Sequence, residues 1–211
     1  MTAAQPEPPS LVAATSMFIE VLVVGIGFLS GIAVLAAAAA GPHNTAKVVP
    51  VASNSLAAGA ALAAAYALGI VVDRAADSAL APVRRRLRVV SFTTDRAYAQ
   101  ARLMLAKEPA LAARADYARS RMRICRGWVV NSILLTLATD AALLRYRLES
   151  RPLLVILATV TGALATTGFY FTWRAITKTA YRKLAEQSVR PAPLPAQALQ
   201  GNQISHTTAT P

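Results

Sequence analysis

The stretch 117-YARSRMRICRGWVVNSILL-135 changes character in its middle. Arginine stands at Arg119, Arg121, Arg123 and Arg126, and Trp128 then opens a run without charge until Asp140. No proline lies between Ala110 and Arg147, and the one glycine there is Gly127. The two halves therefore read as one helix, and 38 residues at 1.5 Å each would reach about 57 Å. Such a helix is apolar at one end and cationic at the other, which suits a rod that crosses a bilayer and projects from it.

The rest of the chain supports that reading. Of its 211 residues, 55% are hydrophobic and 15% charged, with mean hydropathy +0.43. A soluble domain of this size carries more charge. Residues 21–46, 48–72 and 152–173 hold no charged side chain, and 127–144 hold only Asp140. A spanning helix needs about 20 apolar residues. Three blocks pass easily; the third is interrupted by Asp140, which costs roughly 3 kcal/mol if central. Helices apolar on every side have nowhere to bury four faces in so small a chain, which argues against a soluble bundle. The expected fold is all-α: an integral membrane protein with four transmembrane helices, the second and third joined by a basic cytosolic helical segment. The first block follows MTAAQPEPPS, which has no Lys or Arg, and exceeds a signal-peptide core in length, so it reads as a retained helix.

The 22 basic residues set the orientation. Thirteen lie between Asp73 and Arg126, and five follow block four, at Arg174, Lys178, Arg182, Lys183 and Arg190. Only Lys47, Arg145, Arg147 and Arg151 lie on the other side. Positive charge stays cytoplasmic, which places both termini and the central segment in the cytosol. Trp128 and Trp173 then both fall at the cytosolic interface, where indole rings prefer to lie. The abundance of Ala and Arg points to a bacterial source, and so to an inner (plasma) membrane. The expected units are a short cytosolic N-terminus (1–12), helices one and two (13–72), the basic segment (73–126), helices three and four (127–173), and a basic helix running into a disordered tail (174–211). The loops at 41–50 and 145–151 would face outward.

Within the basic segment, two heptad-like seams predict a helical hairpin that turns near Lys107-Glu108-Pro109. One seam runs Val83, Leu87, Val90, Thr94, Ala97, Ala101, Met104; the other runs Leu111, Ala115, Ala118, Met122, Cys125, Val129. The arm before Pro109 is the longer. Either residues 73–82 lie along the membrane surface or a second turn falls at Ser91-Phe92-Thr93-Thr94, and Pro82 favours a bend in both cases.

Polar groups within spans are the default functional candidates. By depth, Asp140 falls near Asn54 and Thr159 or Thr161 in the outer half, or else snorkels to Arg145 or Arg147. Asn131, Thr166, Thr167 and Glu20 fall in the inner half, where Glu20 rests in the headgroups or joins an inner cluster. Most of the bilayer separates Glu20 from Asp140. Gly27 and Gly31 form a GxxxG suited to close helix packing, within one chain or between chains. The arginines at Arg84, Arg85, Arg86, Arg88, Arg119, Arg121, Arg123 and Arg126 are expected to contact anionic phospholipids or a cytosolic protein partner.

No catalytic chemistry is evident. His43 and His206 are the only histidines and Cys125 the only cysteine, so no metal-ligand spacing exists, and Cys125 belongs to a packing seam. No GxGxxG, Walker or G-x-S-x-G pattern occurs. The expectation is a non-enzymatic protein without cofactor or metal. It would be a homo-oligomer that forms or gates a permeation path, or a membrane-anchored adaptor that recruits a partner through its basic helices. Nucleic acid is disfavoured, because Phe92, Tyr98 and Tyr117 make no stacking platform.

Overall fold

The computed structural model describes residues 11–52, 54–146 and 150–189. It contains five helices: α1 (Leu11–Ala52), α2 (Ser55–Ser91), α3 (Asp95–Ala106), α4 (Pro109–Arg145) and α5 (Arg151–Val189). Four of them, α1, α2, α4 and α5, are long and apolar enough to cross a membrane. The continuous basic-to-apolar helix read from 117–135 is α4, 37 residues and about 55 Å long.

The contacts fix the helix directions. Phe18 stacks on Tyr66, and Val21 and Gly25 of α1 meet Gly69 and Ala65 of α2, so α1 and α2 are antiparallel. Gly27 and Gly31 of α1 meet Asn131 and Leu134 of α4, so α1 and α4 run the same way. Trp128 stacks on Phe169, and Gly162 meets Thr136, so α5 returns antiparallel to α4. The apolar helices thus form a row in the order α2, α1, α4, α5. The helix α2 also reaches α4 and α5, and the outer faces stay bare: Leu153, Ile156 and Leu164 of α5 are 66%, 62% and 69% exposed.

Glycine makes the α1–α2 contact possible. A Cβ on Gly25 would lie 1.7 Å from the Ala65 carbonyl oxygen, and one on Gly69 would lie 2.1 Å from that of Val21. The backbones touch where lipid-like packing demands it. The GxxxG pair is spent within the chain, since both of its glycines face α4.

The first outward loop differs from expectation. Residues 41–50 are helical, and α1 runs on to Ala52. The break is a kink at Gly41 (φ 79°, ψ 169°), a conformation that side chains other than glycine's strongly resist. Pro42 explains it: proline disfavours helical geometry in the residue before it, yet starts a helix well. Side chains cap the carbonyls near the kink. Thr45 Oγ1 donates to the Gly41 carbonyl at 2.8 Å, Asn44 Nδ2 to that of Ala40 at 3.2 Å, and the Tyr146 hydroxyl to that of Ala37 at 3.2 Å.

In the basic segment the chain turns twice. The helix α2 continues through Pro82 and stops at Ser91. Phe92 is buried beside the turn, and Thr94 caps α3 by accepting from the Ala97 amide at 3.1 Å. Of the two arrangements open at sequence level, the turn at 91–94 is the one that forms. It breaks the first seam, leaving Val90 80% and Met104 60% exposed. The second seam stays turned inward along α4. The helix α3 packs chiefly on α5, through the edge-to-face pair Tyr98–Tyr181 at 5.9 Å. Arg174, Lys178 and Arg182 line an exposed face of α5. The tail beyond Val189, with His206 and Arg190, lies outside the described residues, as do residues 1–10 and Arg147.

Candidate functional site

Two polar clusters stand near opposite ends of the row. The larger is at the arginine-rich end, where α1, α2 and α4 meet. Asp73 and Asp77 follow the uncharged block of α2 and stand one turn apart, on one face. Arg123 and Arg126 stand similarly on α4, and Glu20 on α1 arrives at the same height. Arg126 bonds Asp73 through Nη2 at 2.5 Å and Asp77 through Nη1. Arg84 shares the same Asp77 oxygen. Arg123 reaches Glu20 at 3.4 Å and Asp73 at 4.0 Å. Glu20 also accepts from Ser120 and, at 3.0 Å, from Ser16.

Three carboxylates thus face three guanidiniums across three helices. The side chain of Glu20 is 8% exposed and that of Arg126 14%, so neither rests in solvent. Glu20 is a bonded member of this network. Asp73 and Asp77 were not anticipated as its partners. Their signal was present: an i, i+4 acid pair closing one apolar block, at the height where an i, i+3 arginine pair opens another.

The arginines expected to contact lipid or a partner part company. Arg123 and Arg126 turn inward to the acids, while Arg119 pairs with exposed Asp116 at 3.0 Å and Arg121 lies 5.7 Å over the Tyr117 ring. On α2, Arg84 turns to Asp77, Arg88 bridges the turn to Asp95 at 3.0 Å and lies over Tyr98, and Arg85 and Arg86 are exposed. Burial pushes the Tyr181 phenol above its ordinary range; neighbouring Tyr98 adds to this, and Arg84 and Arg88 oppose it.

The second cluster lies toward the other end. Asp140 accepts from Thr159 Oγ1 at 2.9 Å, so the expected α4–α5 polar pair forms. The other carboxylate oxygen, Oδ1, is buried without a hydrogen-bond partner among the described residues. Arg145 makes no ion pair with it. Asn54 does not join: it caps α2, accepting from the Leu56 amide at 3.0 Å. Asn131 is fully buried between the two clusters and donates to the Val24 carbonyl at 2.8 Å. Its bond runs to α1 and not to Glu20, and Thr166 and Thr167 take no part, so the expected inner cluster is not assembled.

No group of three or more His, Cys, Asp or Glu suited to a metal ion occurs among the described residues. His43 is exposed, and Cys125 is half-buried on its seam. No family model, curated protein or solved structure matches the chain.

Proposed function

We propose that the chain is a non-enzymatic, multi-pass protein of a bacterial inner membrane, whose copies associate to form or gate a permeation path. The bare apolar flanks of α2 and α5 support a lipid surrounding, because such faces are stable in hydrocarbon and not in water. The crowding of cations at one end supports a cytosolic position for that end and for both termini.

The observation that carries the permeation reading is Asp140. A carboxylate in a span is costly and is retained where it serves a pathway or a partner. Thr159 supplies one donor, and Oδ1 has none among the described residues. A proton, a cation or a donor from a neighbouring copy completes its shell. One row of helices encloses no axial channel, so the path lies between copies. Ion flux into vesicles holding the purified protein tests this. Wild type should conduct and Asp140→Asn should conduct differently. Wild-type vesicles no leakier than empty ones would sink the idea.

A second reading is favoured by one specific surface. Arg85, Arg86, Val89 and Val90 near the end of α2 leave basic and apolar groups exposed beside the 92–94 turn. An adaptor would recruit an acidic, partly apolar protein segment there. Loss of a captured partner on Arg85→Gln/Arg86→Gln, with flux unaltered, would favour that reading.

A further inference from the structure

Behind the ion-pair network the same arginines face a cleft of about 250 Å³. Arg84, Arg119, Arg123 and Arg126 line it from α2 and α4, while Tyr98 and Tyr181 wall it from α3 and α5. No carboxylate is among its lining residues. Glu20, Asp73, Asp77 and Asp116 hold the guanidiniums from outside the cleft. The Nε of Arg126 is itself shielded by the fold, so the side chain meets the cleft through its other atoms.

We propose that this cleft binds a phosphate-ester anion, either the headgroup of an anionic phospholipid or a soluble phosphate. Guanidinium forks match phosphate oxygens in geometry as well as charge. The surrounding carboxylates fix the forks before the ligand arrives, so less side-chain freedom is lost on binding. Height supports the lipid source. Trp173 lies at the cleft wall, at the end of the uncharged block 152–173, which puts the cleft where apolar chain gives way to basic. The lipid source rests on the bilayer reading above; the soluble source does not, and neither depends on a permeation path.

The test uses the full chain in zwitterionic detergent, carrying Trp128→Phe so that Trp173 is the sole indole. One arm titrates dihexanoyl-phosphatidylglycerol below its micellar concentration; the other titrates inorganic phosphate. A saturable change in Trp173 emission is expected in at least one arm. Saturation by the lipid alone assigns the headgroup, and saturation by inorganic phosphate assigns a soluble anion. Arg84→Gln/Arg119→Gln should weaken binding about tenfold or more, since each lost fork removes charge-assisted bonds. Arg96→Gln/Arg102→Gln, on the exposed face of α3, should leave it within about twofold. Should the first pair fail to fold, Arg119→Gln alone carries the same direction, since its partner Asp116 is exposed. Absence of saturation in both arms, or equal weakening by the α3 pair, would overturn the proposal.

Discussion

Arg126 of α4 clamps two carboxylates, Asp73 and Asp77, that stand one turn apart on α2. The clamp ties neighbours that are not adjacent in the row, because α1 lies between their apolar portions. Removing the guanidinium would leave Asp73 with only the 4.0 Å contact to Arg123 and Asp77 with Arg84 alone. Breaking a buried pair by deleting one partner costs about 3–5 kcal/mol. Arg126→Gln should therefore lower the melting temperature in detergent sharply. Adding Asp73→Asn and Asp77→Asn should recover a large share of the loss. A triple variant no better than the single one would show that the clamp is not electrostatic.

The α1–α2 contact makes a prediction of a different kind. Gly25→Leu and Gly69→Leu would drive side chains into backbone carbonyls, which have no flexible end to yield. Each should cost at least the roughly 1–3 kcal/mol of ordinary overpacking. A Cβ on Gly59 or Gly168 meets nothing within 4 Å, so alanine at either should be near neutral. Unfolding curves of the four variants decide the matter.

At the other end, Gly41→Ala should cost about 1–3 kcal/mol, because alanine would be forced into a backbone region that glycine alone visits freely. Tyr146→Phe should loosen the same kink more mildly. It removes a hydroxyl that bonds the Ala37 carbonyl at 3.2 Å and sits 3.3 Å from Thr45 Oγ1. A lost hydrogen bond of this sort is worth about 1 kcal/mol. Amide exchange over residues 37–46 should quicken in both variants and leave α5 unaffected.

The long uncharged blocks and the run from Arg126 into Trp128 made the four helices legible, because length and composition alone decide such elements. The kink at Gly41 was less so. Residues 41–50 read as a loop, yet Asn44, Thr45 and a residue about a hundred positions away supply the carbonyl partners that let the helix resume. Similar reasons hid the ion-pair network. Depth put Glu20 in the inner half but named no arginine partner, because which face of α4 Arg123 and Arg126 present depends on helix packing, and no local pattern fixes that. Thr94 was legible as a cap because its chemistry is local: Thr94→Ala should cost about 1 kcal/mol, read as faster exchange of the Ala97 amide. Depth brought Asp140, five residues before Arg145, roughly level with Thr159 or Thr161, eight or ten after Arg151, and the bond forms to Thr159.

Stability and function should pull apart at Asp140. If the carboxylate were there for the fold, its loss would weaken the protein. Its environment says otherwise: one oxygen meets only Thr159 and the other meets nothing among the described residues. An apolar side chain in that position would shed a desolvated charge at the cost of one hydrogen bond, worth about 1 kcal/mol. On the insertion scale, aspartate at the centre of a span is about 3 kcal/mol worse than leucine, and the penalty shrinks toward the end of the helix where Asp140 stands. Asp140→Leu should therefore melt at the same temperature as wild type or higher, and insert at least as well. The same variant should lose the ion flux of reconstituted vesicles, because a path cannot conduct past a residue it no longer has. A large drop in melting temperature with flux retained would make Asp140 a packing residue and remove the main support for a permeation path.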